Sequence, residues 1–241
     1  MKLRLLAIAA LAAVSVQAHA DIVGLWDFNS FTCTSNCTTT PKATQTANGG
    51  SLSTVGGVTF ASVAGSGTGS AMNTTTYAAQ GQGNLTKGVQ FMIDTTGYTD
   101  LVLTFAQRNS NTASAWTTLQ YTTDGSTWLN ATNFFMPSAS ATVFVNGLTF
   151  DFTNTADVNN NENFGIRFLA SFAPGTSAYA PTANGQTYAV GGTIRYDNVL
   201  LSGDALPDLP PDVPAVPEPQ TYALMLAGLA AVSLIARRRA R

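Results

Sequence analysis

The sequence predicts an all-β fold, an antiparallel β-sandwich, over Asp21–Asp204. Three observations carry this. No stretch in that range keeps an apolar period of 3.6 residues. Short runs of β-branched and aromatic residues recur instead. Turn residues (Gly, Asn, Asp, Ser) punctuate them at about 8–12 residue intervals, giving roughly nine or ten strands, the spacing of a two-sheet domain.

In chain order, Ile22–Phe28 reads as the first strand, and Cys33–Gly50, rich in Thr and Asn, as loop. Val55–Val63 is a second strand weakened by Gly56-Gly57, and Gly65–Ser70 is a glycine-rich loop. That loop precedes no helical pattern, so it is no phosphate cradle. Val89–Ile93, Leu101–Arg108 and Trp116–Thr122 are strands. Asp124-Gly125 and Asn146-Gly147 read as two-residue hairpin turns, the first leading into Thr127–Leu129, the second joining Ala141–Val145 to Leu148–Phe152. Phe164, Ile166, Phe168, Ala170 and Phe172 alternate along one strand and put one face in the core. Thr193–Ser202 closes the domain.

The two ends are of another kind. Met1–Ala20 reads as a secretory signal peptide: Lys2 and Arg4, an apolar stretch, then the cleavage site Ala18-His19-Ala20. Residues 205–219 hold six of the ten prolines. As polyproline-like chain this stalk reaches about 45 Å. The run Tyr222–Ala236 would make a helix of about 22 Å, against a hydrocarbon core of about 30 Å. Snorkelling arginines and flanking residues cover part of the shortfall. Residues 220–241 are therefore read as a single C-terminal transmembrane helix, with Arg237, Arg238, Arg239 and Arg241 held in the cytoplasm.

The tail from Val216 to Arg241 resembles the PEP-CTERM sorting signal of Gram-negative bacteria. The resemblance rests on Val216-Pro217-Glu218-Pro219, the apolar run after it, and Arg237-Arg238-Arg239. It implies recognition and cleavage by the membrane enzyme exosortase, membrane contact through the helix before processing, and delivery to the cell surface, outer membrane or extracellular matrix. It also implies a link to exopolysaccharide and biofilm. Residues 101–203 resemble the jelly-roll ectodomains found upstream of such tails, through the Tyr121–Trp128 hairpin and the Tyr196-Asp197-Asn198-Val199 strand.

Charge and composition narrow the function. Within Asp21–Asp204, five basic residues face ten acidic ones, a net charge of −5. No basic cluster is present, which argues against nucleic acid as a partner. Cys33 and Cys37 are the only cysteines. In an exported chain they are expected to form a disulfide. The single histidine, His19, lies in the signal segment. The domain then lacks the imidazole that a Ser-His-Asp triad or the usual zinc site requires. Lys42 and Lys87 sit in no Ser-Lys motif. A carboxylate pair could hydrolyse glycosides, but spacing singles out none.

Two sets of oxygen donors are calcium candidates. Asp157, Asn159 and Asn161 begin like a calcium loop, but Glu162 stands where glycine belongs and Phe168 where glutamate belongs. Asp27 and Asp197 lie on the first and last strands, which modules of the resembling type clip together with one ion. Trp116, Tyr121 and Trp128 flank the Asp-Gly turn and form a candidate glycan platform. Asn36, Asn73, Asn84 and Asn130 each open an Asn-x-Thr triplet, as chance allows in so Asn- and Thr-rich a chain. The reading is an exported, non-enzymatic surface or matrix protein with no resident cofactor. A carbohydrate-binding module, calcium-assisted or not, is the alternative, and a secreted glycoside hydrolase the third.

Overall fold

The computed structural model describes residues 20–207. Residues 1–19 of the expected signal peptide, with Ala18, the stalk beyond Pro207, the sorting motif and the arginine tail lie outside the described residues, as does the expected C-terminal helix. Among the described residues no helix is long and apolar enough to cross a membrane.

The strands are β1 (Asp21–Trp26), β2 (Gln45–Thr46), β3 (Gly50–Val55), β4 (Thr59–Ala64), β5 (Ser70–Thr75), β6 (Gly88–Ile93), β7 (Tyr98–Asn109), β8 (Trp116–Thr122), β9 (Leu129–Phe135), β10 (Val145–Asp151), β11 (Gly165–Ala170) and β12 (Ile194–Ala205). They form two antiparallel sheets. A five-stranded sheet runs β3-β6-β11-β8-β9, and a seven-stranded sheet runs β10-β7-β12-β1-β2 with β5 and β4 added beside β12. The predicted antiparallel sandwich is the observed fold.

Alternation decides which side chains meet between the sheets. Val89, Phe91 and Ile93 of β6, Ile166 and Phe168 of β11, and Leu119 of β8 point inward. They face Leu101, Leu103 and Phe105 of β7 and Ile194, Tyr196, Val199 and Leu201 of β12. Phe168 is the hinge of this packing. Its ring lies 4.5 Å from Phe105, 5.3 Å from Tyr196 and 6.1 Å from Phe91.

Three local expectations are corrected. The run Val55–Val63 is not one strand: β3 pairs with β6 in one sheet and β4 with β5 in the other. Gly56 and Gly57, at φ 69° and 75°, carry the chain across. Asp124-Gly125 is not a two-residue turn, since Gly125 takes positive φ and Asp124 does not. Residues 123–128 form a longer loop instead, because the Asp124 carboxylate accepts the Ser126 and Thr127 amides at 2.8 and 2.6 Å. Asn146-Gly147 lies inside β10 at a register shift opposite β7, a bulge rather than a hairpin. The segment before it is a 3-10 turn, Ser138–Ala141.

Candidate functional site

The outer face of the five-stranded sheet carries an ordered strip of polar and aromatic side chains. One row crosses all five strands in register: Ser53, Gln90, Arg167, Gln120 and Asn130. Arg167 donates from Nε to Gln120 Oε1 at 2.6 Å, and Gln120 donates from Nε2 to Asn130 Oδ1 at 2.6 Å. The Arg167 guanidinium lies over the Trp128 ring, 4.3 Å from its centre. Burial lowers the Arg167 pKa, without removing its charge.

The strip continues along β8 and β9. Thr118 donates to Asn133 Oδ1 at 2.7 Å, and Trp116 packs on Phe135 with ring centres 5.0 Å apart. Phe135 is 55% exposed. Trp116 to Gln120 spans about 13 Å of strand. A groove of about 210 Å³ borders this strip, lined by Thr118, Asn130 and Asn133 together with Phe172 and Pro174. Donors, acceptors and flat apolar faces set side by side are what a sugar ring needs, with its hydroxyl rim and apolar face. None of the five strands contains an aspartate or glutamate.

Of the three aromatics singled out in the sequence, Trp116 and Trp128 are half-buried on this face. Tyr121 is not on it. Its ring points inward and meets Phe152 edge-on at 5.8 Å. The reason is parity: on β8, Thr118 and Gln120 face out, so Leu119 and Tyr121 face in. Arg167, Gln120, Asn130 and Phe135 were missed as site residues. The strict alternation around Arg167 was the signal that it stood opposite the core face.

Asp27 and Asp197 are brought together at a different place. β12 pairs with β5 over Ile194–Tyr196 and with β1 over Val199–Gly203. Asp197 and Asn198 fall in the gap between these partners. Asp197 is buried, and accepts the Ser66 amide at 2.7 Å and the Asn198 amide at 2.8 Å. Burial pushes its carboxyl above the usual range, the two amides lower it, and the charge of Asp27 raises it further. Burial also acts upward on Asp27, but the Thr44 hydroxyl and Asn29 amide outweigh it and hold Asp27 below the usual range. Asn29 accepts the Ser70 amide through Oδ1 at 3.1 Å. Asp27 and Asp197 thus accept from backbone amides and the Thr44 hydroxyl, and these bonds clasp the strand ends together.

In the second calcium candidate, Asn161 turns inward on its own loop. Its Nδ2 donates to the Thr123 and Asp157 carbonyls and its Oδ1 accepts the Asn163 amide. Asp157 and Asn159 border the cavity beside it. No cluster of three His, Cys, Asp or Glu suited to a metal occurs among the described residues. Cys33 and Cys37 are bonded, with S–S 2.07 Å and Cα atoms 5.9 Å apart.

Residues 215–240 match the family model of the PEP-CTERM protein-sorting motif. The chain carries a PEP-CTERM sorting motif. The sandwich is similar to the CBM22-1 xylan-binding domain of Paenibacillus barcinonensis Xyn10C at 12% identity and TM-score 0.44, over 79% of this chain and 99% of that one. It is also similar to xylanase 10C of Cellvibrio japonicus in complex with xylopentaose at 16% identity and TM-score 0.36, over 65% of this chain and 27% of that one. No curated protein matches the chain.

Proposed function

We propose that this PEP-CTERM protein is exported, processed by exosortase at its tail, and holds polysaccharide at the cell surface without cleaving it. The observation that carries the reading is the strip Trp116/Phe135, Thr118/Asn133, Gln120/Asn130, Arg167/Trp128 on a sheet face whose strands bear no carboxylate. Stacking on the aromatics supplies affinity, and the fixed amides and guanidinium supply orientation. Glycoside hydrolysis needs two carboxyl groups flanking one bond. The acid nearest in sequence to the strip, Asp124, is committed to its own loop. The exopolysaccharide of a biofilm fits as the ligand because the sorting motif implies delivery to the cell surface.

Affinity electrophoresis of the exported protein in gels containing neutral polysaccharides tests the binding. Retardation that is lost in Trp116→Ala and Trp128→Ala is expected. Retardation unchanged in the double variant, or release of reducing sugar ends by the purified protein, rejects the reading. Mass spectrometry of the protein from its native host tests the sorting, with a C-terminus near Val216–Gln220 expected and an intact Arg241 in an exosortase-bearing cell counting against it.

A further inference from the structure

The seven-stranded sheet carries a second feature that the strip does not explain. Arg108 of β7 and Arg195 of β12 stand directly opposite one another in the antiparallel register. Such partners have Cα atoms about 4.5–5.5 Å apart, and like charges so placed are destabilising. Among the described residues neither arginine donates to a carboxylate. Arg108 bonds the Ala141 carbonyl at 3.3 Å and Arg195 the Asn73 Oδ1 at 3.2 Å, both neutral acceptors. Burial and the Arg108 charge both lower the Arg195 pKa. In a domain with twice as many acids as bases, a guanidinium pair with no acid beside it among the described residues is a conspicuous choice.

The pair opens on a cavity of about 270 Å³, too large for a single ion, whose other lining groups include Ser110, Asn111, Thr112 and Thr193. These are hydroxyls and amides, partners for a polyol. Asn73, which holds Arg195, also lines an adjoining cavity of about 250 Å³ with Phe60 and the Asn36–Cys37 corner of the disulfide loop. Arg195 and Asn73 are register partners, so the two cavities are lined from neighbouring strands of one sheet, as sites for linked units of a polymer would be.

We propose that Arg108 and Arg195 form a site for the carboxylate of an acidic sugar unit within a polysaccharide, on the outer face of the seven-stranded sheet. The carboxylate accepts from both guanidinium groups, relieves their mutual repulsion, and leaves the ring hydroxyls to the side chains around it. This extends the polysaccharide-holding reading to a second face, and the test separates the two.

Titrating the exported protein with trigalacturonate, while recording the arginine Nε–Hε signals by NMR, should shift Arg108 and Arg195 and leave Arg167 in place. A neutral xylo- or gluco-oligosaccharide should do the reverse. The Arg108→Gln/Arg195→Gln variant should lose at least tenfold in polygalacturonate affinity, and the wild-type binding should weaken steeply between 50 and 500 mM salt. Trp128→Ala should keep its polygalacturonate affinity. Shifts confined to Arg167, full binding by the double arginine variant, or equal shifts with inorganic phosphate at matched charge overturn the acidic-sugar site. If neutral oligosaccharide still moves Arg167 in that case, the strip on the other sheet stands; if it moves nothing, the strip falls as well.

Discussion

The Arg167 guanidinium lies 4.3 Å from the centre of the Trp128 ring while its Nε donates to Gln120 at 2.6 Å. One side chain thus fixes an indole from the β8–β9 loop and an amide from β8. Arg167→Lys keeps the charge and loses the planar fork, so Gln120 is freed to rotate. A cation–π contact of this kind is worth about 0.5–1 kcal/mol. Calorimetric titration with a neutral oligosaccharide should show affinity falling about threefold in Arg167→Lys and about tenfold in Trp128→Ala, where a stacking surface is removed. Unchanged affinity in Trp128→Ala counts against the strip.

Asp124 holds the loop that presents Trp128. Its carboxylate accepts the Thr127 and Ser126 amides and the Thr122 hydroxyl, and these hydrogen bonds depress its pKa well below the usual range. A depressed carboxyl contributes stability above its unfolded value of about 3.9, and that contribution is lost as pH falls below about 4 toward the folded value. Asp124→Asn should therefore lower the melting temperature at pH 7 and flatten its decline between pH 4 and 2. Equal acid sensitivity in the variant and the parent would remove Asp124 from the account.

Phe168 joins the sheets through Phe105 and Tyr196. Phe168→Ala leaves a cavity with no exposed wall to collapse onto, and should cost about 3–5 kcal/mol. Thermal melting should fall by about 10 °C. Phe135→Ala, at an exposed position, should move the melt by no more than about 2 °C while reducing glycan binding, which separates the two roles of aromatic residues here.

The Asp197 clasp is held by the Ser66 and Asn198 amides. Its carboxyl is raised by burial, so ionisation costs stability at neutral pH, and that cost is relieved as pH falls through the raised folded value. If backbone donors suffice, 5 mM calcium and 5 mM EDTA should give melting temperatures within about 1 °C of each other at pH 7. A calcium-dependent rise of several degrees, abolished in Asp27→Asn, would instead make the clasp an ion site.

Much of the core was readable in advance. Phe164, Ile166, Phe168 and Ala170 are all buried, as their alternation requires, because a strand with period two has one inner face. Leu101, Leu103 and Phe105 follow the same rule. The turn dipeptides were less informative: Asp-Gly and Asn-Gly were read as hairpins from local propensity, yet a side-chain cap on one and a bulge on the other changed their use. The strand after the Asp-Gly turn was read as Thr127–Leu129 but runs Leu129–Phe135, since LNATNFF has too weak an alternation to mark a strand whose pairing with β8 defines it.

Periodicity alone predicted an all-strand sandwich, and the terminal sorting motif was legible through the resemblance of its Pro-Glu-Pro, apolar and arginine segments to a known signal, because both are written in runs of neighbouring residues. The pairing of Arg108 with Arg195, the row from Ser53 to Asn130, and the inward turn of Tyr121 came only with the packed sheets. Those relations join residues up to 114 positions apart, as Ser53 and Arg167 are. Register between strands depends on which faces can be buried together, and no local stretch of chain carries that information.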